Sequence, residues 1–177
     1  MNRIALPILL SLGLATAGAA QRHNSNAPID FSADTIELQD RANRAVLAGN
    51  VAVKQADMTL NAARLTVAYT GKVTDGSPQA SRLDASGGVT VRRPDQTARS
   101  QYAVYDINRR VITMLGAVSL TQAGNTVNGG RLTINLDSGR AVIDGSSVGG
   151  PVRGADGTIT QTTGGRVTGR FSVPKRD

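Results

Sequence analysis

The stretch from Gly116 to Ile134 occurs twice in this chain, and the repeat limits what the chain can fold into. A constant offset of 67 lays Gly49–Val67 on it, and nine of the 19 aligned positions are identical. They are Gly49/Gly116, Val51/Val118, Gln55/Gln122, Ala56/Ala123, Thr59/Thr126, Asn61/Asn128, Arg64/Arg131, Leu65/Leu132 and Thr66/Thr133. Val53/Leu120, Leu60/Val127 and Val67/Ile134 are apolar in both copies. A weaker copy lies between them, Gly87-Gly88-Val89-Thr90-Val91 and then Tyr102 to Ile107. A truncated echo follows at Ser138–Gly145. Units of this size cannot bury their own apolar face and must stack on copies of themselves.

Each unit reads as strands. Val118 and Leu120 alternate with Ala117, Ser119 and Thr121, and Leu132, Ile134 and Leu136 alternate with Arg131, Thr133 and Asn135. Period two over five or more residues indicates strands with one buried face. Gln122–Asn125 and Asn128–Gly130 supply residues that tolerate turns. The pattern predicts strands at 44–48, 50–55, 58–60, 64–70, 81–85, 88–93, 97–99, 102–107, 110–115, 117–122, 125–127, 131–136 and 140–144, with an opening strand near 28–38 and a last one at 166–173. An exposed loop is expected at 74–78. No segment carries a sustained apolar period of 3.6, so almost no helix is expected.

Residues 1–20 have the form of a secretory signal peptide: Arg3, an apolar core from Ile4 to Leu14, and small residues from Ala15 to Ala20, with cleavage expected after Ala20. The apolar run is shorter than the ~20 residues of a spanning helix, and Pro7 interrupts it. The chain has no cysteine, so it carries neither a disulfide nor a lipoprotein anchor, which fits an exported periplasmic protein. The remaining 157 residues suit one domain over 28–177, with 145–165 as a Gly/Thr-rich loop or frayed edge. Residues 21–27 read as a disordered start whose lone His23 is incidental.

The net charge of +7 falls by one with Arg3. With an export signal and five aromatics scattered without a recognition pattern, this basicity does not indicate nucleic acid. Arg41, Arg44, Lys54, Arg64, Arg131 and Arg140 suit a solvated face or a rim for phosphate- and carboxylate-bearing heads. Without cysteine, and with one peripheral histidine, there is no thiol, triad or zinc site. The Gly145–Gly150 run lacks the Lys-Ser/Thr and helix of a phosphate loop, and Asp84, Asp106, Asp137 and Asp144 sit at strand ends. Neither an enzyme nor a cofactor is expected. What remains is a surface made by alternation. Parity turns inward Val51, Val53, Leu65, Val67, Tyr69, Val118, Leu120, Leu132, Ile134 and Leu136, with Ala103, Tyr105 and Ile107 from the middle copy and Ile29 and Phe31 from the start.

The order Gly-Asn-Val-x-Val-x-Gln, Asn-x-x-Arg-Leu-x-Val and Leu-Asp-Ser-Gly-Arg-Ala resembles the OstA-like (LptA) family of periplasmic lipopolysaccharide-transport proteins, over roughly residues 28–148. The resemblance implies an all-β, elongated, open antiparallel jelly roll, a V-shaped trough of two sheets. It implies a carrier that shelters lipopolysaccharide (lipid A) acyl chains and passes them from inner to outer membrane by head-to-tail assembly. Partners would be further copies of the chain and LptC-like and LptD-like OstA domains, met by edge-strand pairing. The lipid-contact candidates are Ile29, Phe31, Ile36, Val53, Val67, Tyr69, Tyr105, Ile107, Leu120, Ile134 and Leu136. At ~0.8 kcal/mol per CH₂, a chain of a dozen carbons gains about 10 kcal/mol on leaving water, so an apolar trough suffices for holding. The alternatives are an LptC-like anchored component, which would keep its N-terminal segment, and a β-repeat structural or adhesin protein.

Overall fold

A computed structural model describes residues 23–71, 78–145, 152–153, 159–160 and 165–170. The signal segment, the loop at 74–77 and most of 145–165 lie outside these residues. The strands are β1 (Ile29–Ser32), β2 (Thr35–Gln39), β3 (Arg44–Gln55), β4 (Met58–Thr70), β5 (Gln79–Arg93), β6 (Gln96–Asp106), β7 (Val111–Gln122), β8 (Asn125–Asn135), β9 (Ala141–Asp144), β10 (Val152–Arg153), β11 (Ile159–Thr160) and β12 (Thr168–Arg170). Among the described residues the only helix is a 3-10 turn at Asp40–Ala42. The fold is all-β, as expected.

β1 and β3 to β8 run in sequence order, each antiparallel to the next, and β12 closes on β8. β2 also pairs with β3, and β9 with β8. β10 and β11 pair only with each other. The twelve short segments expected over 44–136 are therefore six long strands, each of the expected gaps near 49, 62, 87, 100, 116 and 129 falling inside a strand or at its bulge. The register shifts between Ala48 and Val51, Asn61 and Arg64, Ser86 and Val89, Arg99 and Tyr102, and Leu115 and Val118. On the odd-numbered strands the bulge is two consecutive left-handed residues, Gly49-Asn50, Gly87-Gly88 and Gly116-Ala117, with φ from +45° to +84°. A left-handed pair inserts residues the ladder cannot pair and bends the strand sharply. The glycines heading the three copies are thus fold points. The Asn128–Gly130 run, read from sequence as part of a turn, lies within β8, where the inner face must be shaved: Gly129 pairs with buried Val118, and a Cβ on it would stand 2.4 Å from Ile143 Cγ2.

The aligned bulges fold the whole sheet into two layers, so the facing layers are halves of the same strands and not separate sheets. One layer holds the 44–48, 64–70, 79–86, 102–106, 111–115 and 131–135 halves, edged by β2 and β9. The other holds the 51–55, 58–61, 89–93, 96–99, 118–122 and 125–128 halves, edged by β1 and β12. A direct bond proves the folding. Tyr105 on β6 donates its hydroxyl hydrogen to Gln55 Oε1 on β3 at 2.8 Å, although β4 and β5 lie between them in the sheet. Three strand spacings in a flat sheet would separate them by ~14 Å. One apolar core fills the space between the layers, including Leu47, Leu65, Ile112, Met114, Leu132 and Leu136.

The start of the chain differs from expectation. Residues 23–27 were expected to be disordered, yet His23 is buried, with Nδ1 2.6 Å from Asp57 Oδ1 and Nε2 3.4 Å from Gln55 Oε1. Gln55 Nε2 donates to the carbonyls of Ser25 and Ala27, each at 3.0 Å. The histidine is therefore not incidental: the polar end of β3 needs hydrogen-bond partners, and the first residues supply them. The expected last strand at 166–173 appears as β12, with residues 171–173 outside the described set.

Candidate functional site: the apolar interior and its two open ends

Nine of the eleven candidates belong to or pack against one core. Val53, Val67, Tyr69, Tyr105, Leu120, Ile134 and Leu136 are buried in it, and Ile29 and Ile107 pack on its margin. Tyr105 is 1% exposed, and burial pushes its phenol above the ordinary value of 10. Over the middle strands the two layers close on each other.

Phe31 and Ile36 are not in that core. They are 44% and 48% exposed. Register explains why without reversing their parity. Phe31 pairs with buried Val53 and Ile36 with buried Leu47, so both stand on the inward side of their layers. Directly paired residues share a face of the sheet. They are exposed because β1 and β2 are the first strands of their layers and nothing among the described residues covers them. Leu38, 58% exposed and paired with Ala45, belongs to the same lip; sequence reasoning left it off the candidates although its alternation matched that of Ile36. A shallow depression of about 360 Å³ at this edge lies mainly on the outward side, where Asp30, Ser32, Ala52, Lys54, Thr59 and Asn61 line it together with Phe31 and Val53.

The other end is open too. A depression of about 200 Å³ is lined by Leu120, Gln122, Ala123, Asn125 and Val127, all but Ala123 on the inward side of the last hairpin. The interior is thus sealed in its middle and reaches the surface at both ends of the strand order.

Inward-facing residues change character near the strand tips. Val53, Leu60, Val91, Ala98, Leu120 and Val127 form an apolar row across the second layer. Two residues further along each strand, on the same face, the row is Gln55, Met58, Arg93, Gln96, Gln122 and Asn125. An amide-rich rim with one guanidinium therefore edges the apolar interior. Gln55/Gln122, invariant between the two repeats, is the sequence signal that could have found it. The cations proposed from sequence as a rim stand elsewhere. Arg44, Arg64 and Arg131 alternate with the buried Ala45, Leu65 and Leu132 and so face outward from the first layer, and Lys54 faces outward from the second.

A strap crosses the same edge. Residues 23–27 are tied to the tip of the second layer through Gln55 and Asp57, while Asn26 Oδ1 accepts from Arg110 Nη2 at 2.9 Å at the β6–β7 turn of the first layer. Arg110 Nη1 also donates to Asp137 at 3.1 Å. Among the described residues no group of three His, Cys, Asp or Glu side chains is gathered as a metal would need, and no helix is long and apolar enough to cross a membrane.

The family model described as LptA/(LptD N-terminal domain) LPS transport protein matches residues 30–140. The chain belongs to that family. The matched span runs from β1 through β8, ending just before β9, and so takes in all three copies of the repeat. A relative in Rhizobium meliloti (strain 1021), uncharacterized protein R00383, is 29% identical over 145 residues, which is 77% of this chain and 78% of that protein. The crystal structure of LptH from Pseudomonas aeruginosa, the LptA-homologous periplasmic component of the conserved lipopolysaccharide transport device, superposes with a TM-score of 0.66. The match covers 85% of this chain and 99% of that one at 18% identity, which supports the LptA-like fold. The chain is thus an LptA-like lipopolysaccharide-transport family protein, a family of carriers.

Proposed function

We propose that this protein is a non-enzymatic periplasmic carrier that shelters lipopolysaccharide acyl chains between its two layers and passes them onward through end-to-end assembly. The observation that carries this reading is the pair of open ends on one apolar interior. Inward-facing Phe31, Ile36 and Leu38 lie bare at the first edge, and Leu120 and Val127 line an opening at the last. A self-contained sandwich has no reason to leave large inward-facing side chains uncovered at an edge, whereas a segment of a longer conduit does. Among the described residues both edges also end in a strand with one unpaired side, which a second chain can extend. Contact of the first edge of one copy with the last edge of the next is heterologous, does not close on itself, and brings the two openings together.

On this reading Phe31 and Ile36 meet the acyl chain first. Val53, Leu120, Tyr105, Ile134 and the other buried candidates line its path when the layers part. Related OstA-like domains of LptC-like and LptD-like proteins meet the same edges at the two membranes, and the segment 1–20 directs export. Purification of the mature chain from a lipopolysaccharide-producing host, followed by lipid A mass spectrometry, tests the carrier role. Stoichiometric lipid A is expected. A chain free of lipid after gentle extraction, with no uptake of added lipopolysaccharide, refutes it.

A further inference from the structure

Among the described residues, the inward faces of the two layers carry a single charged side chain. Pairing with the buried core assigns the positions of β1 to β9 and β12 to the inside or the outside, and among these inside positions only Arg93 carries a charge. It stands in the rim row, paired across the β5–β6 hairpin with Gln96 and two residues beyond buried Val91. Its Nε is shut off from solvent and meets no hydrogen-bond acceptor among the described residues. No carboxylate among the described residues pairs with it: the ion pairs are His23–Asp57, Arg82–Asp84 and Arg110–Asp137. Asp95, two residues on, instead accepts from Gln122 at 3.1 Å.

A buried guanidinium N–H without an acceptor is costly, and natural proteins keep such a group where something else supplies the acceptor. The surroundings say what that is. Below Arg93 lies the apolar row of Leu60, Val91 and Ala98; beside it lie the amides of Gln96 and Gln122. An apolar row edged by a rim of neutral amides and one cation matches an anionic amphiphile. The guanidinium fork matches a phosphate or carboxylate in two-point contact.

We infer that Arg93 is the headgroup-binding residue of the interior: it takes the phosphate, or an equivalent anionic group, of an amphiphile whose acyl chains lie against Val91 and Leu120. This rests on the carrier reading and adds to it a residue and a required charge on the ligand. Gln96 and Gln122 are the neighbouring donors for sugar or linker oxygens.

The test compares lipid A with the same acylated disaccharide stripped of its phosphates, measured by fluorescence displacement on the full mature chain. Arg93→Gln should weaken lipid A binding about tenfold, the scale of one charge-assisted contact, and leave the dephosphorylated lipid within twofold. Arg93→Lys should recover most of the loss. Arg92→Gln, which removes the adjacent outward-facing charge, should change neither. Equal weakening of both lipids by Arg93→Gln would make the residue merely structural, and unchanged binding of both would overturn the assignment while leaving the carrier reading standing. If the wild-type chain bound neither lipid, the carrier reading itself would fall, and this inference with it.

Discussion

Gln55 offers the sharpest test of how the two layers are held together. It is 2% exposed and serves four neighbours. Its Oε1 accepts from Tyr105 at 2.8 Å and lies 3.4 Å from His23 Nε2, and its Nε2 donates to the Ser25 and Ala27 carbonyls at 3.0 Å. Gln55→Leu keeps the volume and removes all of these bonds. The Tyr105 hydroxyl, in a side chain only 1% exposed, is then left without its acceptor, at about 1–3 kcal/mol. The strap loses two bonds worth about 1 kcal/mol each, because its part-buried carbonyls recover some hydration. The added apolar contact returns about 1 kcal/mol, so the net loss is roughly 2–4 kcal/mol. Tyr105→Phe alone should cost roughly 1–2 kcal/mol. The double variant should be less destabilised than the sum of the singles by about 1–2 kcal/mol, since each single change already destroys the shared bond. Urea unfolding of the lipid-free chain measures all three. Additivity within about 0.5 kcal/mol would mean that Tyr105 and Gln55 do not meet, and the facing of the layers at this edge would be wrong.

Other outcomes follow from the same structure. Burial raises the Tyr105 phenol above 10, and burial with the Asp40 contact does the same for Tyr69. Their contribution is complete below pH ~10, where both are neutral folded and unfolded, and is lost as pH rises through the raised folded values; Tyr69→Phe/Tyr105→Phe should flatten that alkaline fall in urea midpoints. At the fold points, Gly87→Ala should cost about 2–3 kcal/mol and Gly88→Ala about 1 kcal/mol by thermal melts. Both residues are left-handed, but a Cβ on Gly87 would stand 2.6 Å from the Ala63 Cβ and one on Gly88 meets nothing within 4 Å. Equal costs would deny the close approach of β4 to the bulge. Removing the chain from Arg166 onward takes away β12, which adds only three register pairs to β8. The remainder should fold and show weaker concentration-dependent self-association in sedimentation; a closed dimer indifferent to the deletion would count against stacking by the edges.

The sequence revealed the strands and their inward side because period-two alternation reports which face is buried, and both repeats carry it in the same phase. It could not say that Leu47 and Val51 belong to one strand. The left-handed pair Gly49-Asn50 interrupts alternation just as a loop would, so the folded sheet read as separate short strands. Phe31 was turned inward by parity and Ile36 named only as a lipid-contact candidate; the exposure of both depends on their being in edge strands, which is a property of the topology. His23 was dismissed because nothing local distinguishes a loose terminal histidine from one that fills the end of β3; its partners Gln55 and Asp57 are more than thirty residues away. Arg93 was overlooked for a similar reason. A cation next to Pro94 reads as a solvated turn residue, and only the cross-strand register places it on the inside.

The central claim is that inward-facing residues at the open ends touch lipid and outward-facing neighbours on the same strands do not. Site-specific photo-crosslinking in lipopolysaccharide-producing cells measures this directly. A photo-reactive residue at Phe31, Ile36 or Leu120 should form a lipopolysaccharide adduct, while one at Asp30, Glu37 or Thr121, a single residue away and on the opposite face, should not. Equal labelling of the two sets, or adducts at the outward set alone, would contradict the interior as the lipid path.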